Sequence, residues 1–432
     1  MSNVNCQRAK VARKRVYLDY AATTPQDPRV EKAMRPVLRG AFGNPSSIHA
    51  EGVAAKKALD NARTTVARCL EAHAEEIVFT SGGTEANNLA IFGIVSPLLK
   101  GVPHSYAGRV VNNPRLGDSA PPLVRGIPHI VTTNIEHASV LEPLRRLEKE
   151  GKANVTYVPV EENGVVKPEK IIAAVRPTTV LVSVMYANNE IGTIQPIRKI
   201  GKLLSSVKGQ KSKVKSPHGK AYPLFHVDAC QAPSYLPCLA NALGVDLMSL
   251  DAHKIYGPKG VGALYVRRGT GLPAQLLGGG QERGHRSTTE NVAGIVGFAE
   301  ALTLAMARRK KESERVKKLR DLLCAVILKN NSTAVVNGSV EEGERLPNNL
   351  NISITGVDTE FLTLELDAAG IAVSTKSSCL KGEKESYVVH ALAPDDHKRA
   401  SSTLRFTLGR ETTKKEIEYT AKTLKKLLEF KH

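Results

Sequence analysis

Hydrophobic and polar positions follow two different periods along the chain. Short apolar runs typical of buried strands occur at residues 76–80, 129–133, 154–159, 180–185, 224–227 and 245–250. Patterns with helical spacing occur at residues 28–38, 50–72, 141–150, 168–175, 298–328 and 411–430. Through the middle of the chain strands alternate with helices, which favours a mostly parallel sheet covered by helices on both faces. Ligands bind such sheets beyond the carboxyl ends of the strands.

A lysine lies where one of these strands ends. Lys254 follows the apolar run 245–250 and precedes the turn formers Gly257 and Pro258. Desolvation of an amine lowers its pKa, so a lysine held there could form a Schiff base with an aldehyde cofactor such as pyridoxal phosphate. An ordinary exposed loop lysine is the alternative.

Polar side chains at other strand ends could complete such a site. Asp228 ends an apolar strand, where its carboxylate could balance a charged pyridinium nitrogen or pair with an arginine. His137 could stack on the cofactor ring and move protons, or could be structural. Asn189 offers an amide to a ring oxygen. Gly83 and Thr84 lie between a strand and a helix, where backbone amides and the helix dipole favour a phosphate, although an ordinary capped helix explains them as well.

Seven motifs occur in the order found in one known group of enzymes. They are Asp19-Tyr20-Ala21-Ala22-Thr23-Thr24-Pro25, Gly43-Asn44-Pro45-Ser46-Ser47, Thr80-Ser81-Gly82-Gly83-Thr84-Glu85, Asn188-Asn189-Glu190-Ile191-Gly192, His226-Val227-Asp228-Ala229, His253-Lys254-Ile255-Tyr256-Gly257-Pro258-Lys259-Gly260 and Gly278-Gly279-Gly280-Gln281-Glu282-Arg283. With them the chain resembles the NifS-type cysteine desulfurases, which are class V, fold-type I pyridoxal phosphate enzymes.

The resemblance implies both a fold and a domain division. The fold is an α/β, fold-type I transferase with a mostly parallel sheet flanked by helices and a smaller α+β domain. The large cofactor-binding domain is expected at residues 16–280, and residues 1–15 with 281–432 are expected to form the small domain.

The same resemblance assigns roles to site residues. Lys254 would carry the cofactor, Asp228 would pair with its pyridine nitrogen, and His137 would stack on its ring. Asn189 and Gln231 would face the ring oxygen. The phosphate would be bound by Gly83, Thr84 and His253, and by Thr289 from the neighbouring subunit, which implies a homodimer.

A second chemical centre is expected at Cys379. Its loop, residues 374–382, contains Lys376 and Lys381, which could lower the thiol pKa; an ordinary exposed thiol is the alternative. In the family, the cysteine of this loop takes the sulfur of the substrate as a persulfide. Arg405 resembles the arginine that clamps the substrate carboxylate, and Asn189 is also expected near the substrate.

The resemblance thus implies conversion of L-cysteine to L-alanine, with sulfur passed to an acceptor protein, either a scaffold or a sulfurtransferase. That sulfur would be used for iron–sulfur cluster assembly or for the thiolation of cofactors or tRNA. A selenocysteine lyase or a class V aminotransferase is the alternative.

Several residues depart from the family pattern. Asp251 replaces a phosphate-binding serine, and Lys376 and Thr288 replace small residues. Residues 97–128 and 205–223 are longer than the family core needs and are expected to be surface insertions.

Composition narrows the function classes. The chain has 61 basic and 42 acidic side chains, a net charge of +19, which favours anionic ligands or acidic partners. A basic nucleic-acid-binding protein would fit that charge, but aromatic residues make up only 4% and there is no Trp, which argues against a stacking platform for nucleic-acid bases.

Six scattered cysteines without zinc-ligand spacing predict free thiols and no metal site. No apolar stretch is long enough to cross a bilayer, so we expect a cytoplasmic protein.

Overall fold

The computed structural model describes residues 15–98, 127–208, 221–376 and 385–429. Cys379 and most of both expected insertions lie outside these ranges. The strands are β1 (Val16–Tyr17), β2 (Ile77–Thr80), β3 (His129–Thr133), β4 (Asn154–Val158), β5 (Thr179–Ser183), β6 (Leu224–Asp228), β7 (Leu247–Asp251), β8 (Gly262–Val266), β9 (Ala334–Val336), β10 (Asn349–Ile354), β11 (Ile371–Ala372) and β12 (Thr403–Thr407). The α-helices are α1 (Pro28–Arg39), α2 (Ala50–Cys69), α3 (Gly83–Val95), α4 (Ala138–Lys149), α5 (Pro168–Ala174), α6 (Ile197–Val207), α7 (Ala240–Leu243), α8 (Val292–Asn330), α9 (Thr359–Ala368), α10 (Tyr387–Leu392), α11 (His397–Ser401) and α12 (Lys414–Glu429).

Seven strands form the main sheet, in the order β2-β8-β7-β6-β5-β3-β4. Strands β3 to β7 pair in parallel, and β8 runs antiparallel to both of its neighbours. The predicted mostly parallel α/β sheet is therefore confirmed.

Both faces of this sheet are buried. Successive residues of a strand enter opposite cores: Leu181 packs with Leu224 on one face, whereas Val182 packs with Phe225 on the other. Only the edge strand β4 is partly exposed; the inner strands meet no water on either face and therefore read as continuous apolar runs rather than as alternating ones.

A second layer lies in the C-terminal part of the chain. Strands β9, β10 and β12 form an antiparallel sheet that packs with α8, α9 and α12 in a separate core. Strand β1 pairs in parallel with β11, so Val16 and Tyr17 are bonded to the C-terminal part although the expected boundary assigns them to the large domain. The domain division itself stays a prediction.

Helix α8 is longer than its pattern indicated. It begins at Val292, six residues before the predicted start, and Asn291 Oδ1 caps it by accepting from Gly294 N at 3.0 Å. Gly294 and Gly297 weaken the helical signal in sequence. Gly297 is favoured by packing, since a Cβ there would lie 2.7 Å from Met34 Sδ.

Topology brings the expected site residues to one edge. Strands β3, β5, β6 and β7 are parallel, so the segments that follow them leave the sheet on the same side. The segments after β3, β5 and β7 carry His137, Asn189 and Lys254, and Asp228 is the last residue of β6. In the part of the chain that the structure covers, no helix combines the length and the apolar character that a membrane span requires.

Candidate active site

Lys254 is held in one position by backbone carbonyls. Strand β7 ends at Asp251, and a short 3-10 helix, Ala252–Lys254, turns the chain. The partly buried Lys254 Nζ donates to Ala21 O and to Ala22 O, both at 2.7 Å. These bonds fix the amine at the strand end, in contrast with the exposed loop lysine that the sequence left as an alternative.

The loop that holds this lysine comes from the N-terminal part of the chain. Thr23 Oγ1 lies 3.0 Å from His253 Nδ1, and Thr24 Oγ1 donates to His253 O at 2.9 Å. Gln231 Nε2 donates to Ala21 O at 3.1 Å. Hydrophobic periodicity gave no role to residues 21–24, and the only sequence signal for them was the motif that begins at Asp19.

Asp228 is a buried carboxylate without a cation partner among the described residues. Its Oδ2 accepts from Asn87 Nδ2 at 2.8 Å, and its Oδ1 accepts from Cys230 N at 3.0 Å. The side chain is almost fully buried, and no described Lys or Arg forms an ion pair with it. A cationic ring nitrogen would therefore meet a negative charge that is hydrogen-bonded but not neutralised.

A chain of hydrogen bonds through Asn87 and Ser139 connects Asp228 to His137. Asn87 Nδ2 also donates to Ser139 Oγ at 2.8 Å, and Ser139 Oγ lies 2.8 Å from His137 Nδ1. Ser139 N donates to the same Nδ1 at 3.2 Å, which makes that nitrogen an acceptor. An imidazole whose Nδ1 accepts has its N–H at Nε2. Sequence reasoning missed Asn87, which lies one turn inside α3, and Ser139, which is the second residue of α4.

Asn189 and Arg405 meet in a buried contact. Arg405 Nη1 donates to Asn189 O at 3.0 Å, and Arg405 Nη2 pairs with Asp19 Oδ1 at 2.7 Å. Two buried polar atoms here, Asn189 Oδ1 and Arg405 Nε, have no partner among the described residues. Buried polar atoms are rarely left unpaired, so these two mark a place where a bound ligand would complete the hydrogen bonding.

A cleft of about 320 Å³ opens at the start of α3. Its lining includes Thr23, Gly83, Thr84, Asp251 and His253. Gly82 has φ 151°, a conformation that favours glycine, and a Cβ on Gly83 would lie 2.4 Å from Cys230 Sγ. Helix N-termini attract anions, so the cleft suits a phosphate group. Asp251 does not suit a phosphate group, because its carboxylate is an anion and its Oδ2 already accepts from Gly83 N at 2.8 Å.

Of the expected site residues, one cannot be compared with this cluster and one described residue lies apart from it. Cys379 falls outside the described ranges. Thr289 is exposed and does not line the cleft; its segment is tied to α3 by the Arg286–Glu85 ion pair at 2.7 Å.

The chain is similar in sequence to proteins of known function along nearly its whole length. A family model for aminotransferase class-V matches residues 16–102 and 120–420. The chain is 41% identical over 420 residues to cysteine desulfurase IscS of Dictyoglomus turgidum, an alignment that covers 96% of this chain and 95% of that protein. The chain belongs to the NifS-type cysteine desulfurases of the class-V aminotransferase family.

Another curated relative and two solved structures support the same family assignment. Cysteine desulfurase IscS of Glaesserella parasuis is 44% identical over 417 residues, with 95% of this chain and 92% of that protein covered. A solved NifS-like protein superimposes with a TM-score of 0.82 at 34% identity, covering 96% of this chain and all of that one. SspA in complex with cysteine gives a TM-score of 0.72 at 29% identity, with 91% and 98% covered.

The desulfurase family uses pyridoxal phosphate, which confirms the predicted cofactor. The site has the parts this cofactor needs: an anchored amine, a buried carboxylate without a cation, unpartnered polar atoms, and a glycine cleft at a helix start. Apart from Asp251, the described residues fit the cofactor.

Glu136, next to His137, is a buried acid in this desulfurase. Oε1 accepts from Thr133 Oγ1 at 2.6 Å and from Met185 N at 3.0 Å. Burial raises the pKa of Glu136 to about 8; the two hydrogen bonds oppose this effect and the charge of Asp228 adds to it. The side chain is therefore protonated in the folded protein at neutral pH.

Replacing Glu136 by glutamine should change how stability depends on pH. The folded state keeps the Glu136 proton up to about pH 8, whereas the unfolded state loses it near about pH 4.3. The contribution of Glu136 to the free energy of unfolding is thus complete below about pH 4.3 and falls as the pH rises towards 8. The neutral glutamine does not ionise, so its variant does not lose this stability. As the pH rises, the free energy of unfolding of the variant should therefore increase relative to that of the wild type by up to about 1.4 kcal/mol per pH unit.

Urea unfolding at about pH 5 and about pH 8 measures this difference, within the range bounded by the two pKa values. Glu142→Gln, an exposed change on α4, is the matched control and should follow the wild type. Parallel pH curves for Glu136→Gln and wild type would show that Glu136 is ionised in the folded protein.

Proposed function

We propose that this enzyme converts L-cysteine to L-alanine and transfers the substrate sulfur to Cys379 as a persulfide. The observation that carries the proposal is the position of Lys254. Its amine is bonded to Ala21 O and Ala22 O at the sheet edge from which Asp228 also projects.

The cofactor-holding residues would be Lys254, Asp228, His137, Asn189, Gln231 and the cleft residues Gly83, Thr84 and His253. When bound, pyridoxal phosphate acts as an electron sink for the substrate α-carbon. Asp228 would keep the ring nitrogen protonated, and Asn87 would hold the carboxylate through its 2.8 Å bond. The Ser139 contacts orient His137, whose Nε2–H would face the bound ring or substrate.

Lys254 and Arg405 would handle the substrate. The Lys254 amine, once free, is the group proposed to take the α-proton. Arg405 would bind the carboxylate of L-cysteine, for which a guanidinium is a suitable partner. Its Nε has no described partner, and SspA, a structural neighbour, is solved in complex with cysteine.

The sulfur step needs a thiolate. Cys379 would attack the substrate sulfur; an S–S bond forms, the Cβ–S bond breaks, and its electron pair is protonated at Cβ to give alanine. The described cysteines are poor candidates for this role. Burial raises the pKa of Cys69 and Cys324, raises that of Cys238 to about 12, and holds that of Cys230 well above its usual range.

Persulfide labelling tests this proposal. The enzyme is treated with L-cysteine, alkylated and digested, and the Cys379 peptide is analysed by mass spectrometry. We expect that peptide to carry one extra sulfur atom, with alanine formed in step. A keto acid without alanine would indicate transamination and overturn the proposal. Alanine with the extra sulfur on another cysteine would move the acceptor role away from Cys379.

The partner and location are part of the same proposal. Sulfur would pass to an acceptor protein that serves iron–sulfur cluster assembly or thiolation. The exposed Thr289 would reach the phosphate of a neighbouring copy, so the active form would be a homodimer. Free thiols at the four described cysteines favour the cytoplasm.

A further inference from the structure

Asp251 puts a negative charge in the cleft that is assigned to the cofactor phosphate. The side chain ends strand β7 and is 8% exposed. Its Oδ2 accepts from Gly83 N at 2.8 Å, and its Oδ1 accepts from His253 N at 3.2 Å. Two backbone amides of the cleft, those of Gly83 and His253, are therefore already bonded to an anion.

The surroundings of Asp251 favour its ionised form. Burial alone would raise the pKa of Asp251, but the hydrogen bonds from His253 and Gly83 and the electrostatic effect of His253 and Lys254 outweigh it and lower the pKa. His253 Nε2 lies 3.4 Å from Oδ2. Cys230 also faces the carboxylate and stays a thiol, since burial holds its pKa high.

The remaining charged groups near the cleft do not neutralise this carboxylate. On α3, Glu85 is paired with Arg286 at 2.7 Å and accepts from Ser81 N. Lys259 lines the cleft but forms no described ion pair with Asp251. A phosphate dianion entering the cleft would meet the carboxylate at close range, and two adjacent anionic groups commonly retain one proton between them.

We propose that Asp251 and the cofactor phosphate share one proton in the bound state, so that the enzyme takes up a proton on loading and binds its cofactor more tightly at lower pH. This inference rests on the proposed assignment of the phosphate to the Gly83 cleft. Binding that takes up one proton weakens as the pH rises, by at most about tenfold in Kd per pH unit.

The test uses a ligand that cannot react with Lys254. Apoenzyme is titrated with 4-deoxypyridoxine 5'-phosphate, which lacks the aldehyde, between about pH 7 and about pH 8.5. This range lies above the second pKa of a phosphate monoester, about 6. Wild type is compared with Asp251→Asn, which keeps the shape and an acceptor oxygen, and with Asp251→Ser.

The expected result has two parts. Kd for the wild type rises by roughly three- to tenfold per pH unit, whereas both variants show at most a small rise and bind at least about tenfold more tightly at the upper end of the range. Calorimetry in two buffers of different ionisation enthalpy should count about one proton taken up by the wild type and close to none by Asp251→Asn.

The same titration with 4-deoxypyridoxine separates the two levels of the proposal. Without its phosphate this ligand should bind wild type and both variants alike. If removal of the phosphate leaves Kd unchanged in the wild type, the cleft is not the phosphate site and the inference fails with that assignment. If the phosphate strengthens binding but wild type and Asp251→Asn share one pH slope, the assignment stands and the shared proton is wrong. Weaker binding by both variants would also overturn it.

Discussion

Replacing Lys254 by alanine is expected to lower the rate of alanine formation from L-cysteine by roughly 10²–10⁴-fold or more, the usual cost of losing a positioned proton acceptor. The amine is fixed by two carbonyls at 2.7 Å, so a mobile side chain elsewhere in the site cannot reproduce its position. The variant should also lose the covalent attachment of the cofactor.

Two measurements check this prediction. Borohydride reduction followed by removal of small molecules should leave the cofactor on wild-type protein and none on Lys254→Ala, while a coupled assay follows alanine. Lys199→Ala is the matched control, because Lys199 is an exposed lysine on α6 that pairs with Glu169. Covalent cofactor retained on Lys254→Ala would place the attachment on a different lysine.

Replacing Cys379 by alanine is expected to reduce sulfide and alanine formation to the level of a protein-free control. The proposed thiolate is the group that breaks the Cβ–S bond, and no described cysteine can substitute for it, because burial raises the pKa of each. Cofactor binding should survive, since Lys254, Asp228 and the cleft do not depend on this thiol.

Mixing Cys379→Ala with L-cysteine therefore separates substrate binding from sulfur transfer. The visible absorbance of the cofactor should still change on mixing, while sulfide does not appear. Cys324→Ala, a partly buried change on α8, should keep wild-type turnover. Sulfide release by Cys379→Ala at the wild-type rate would mean that another group accepts the sulfur.

The sequence by itself determined the architecture and the chemistry of this enzyme. Continuous apolar strands separated by helical patterns indicated a mostly parallel sheet buried on both faces, because the helices that connect parallel strands cover both sides of the sheet. Polar residues at strand ends then indicated a site at the carboxyl edge, since parallel strands share that edge. The ordered motifs pointed to the family and the cofactor, which the comparisons confirmed.

Only the tertiary structure decided how the charges in the site are arranged. Ala21 O and Ala22 O hold Lys254 from more than 200 positions away in the chain, as does Asp19 for Arg405. Asn87 contacts Asp228 across 141 positions, and Gly83 reaches Asp251 across 168. Local periodicity records which face a residue occupies, whereas burial and partner charge depend on which distant segments the fold brings together. For that reason the raised pKa of Glu136 and the occupied amide of Gly83 could be read from coordinates and not from sequence spacing.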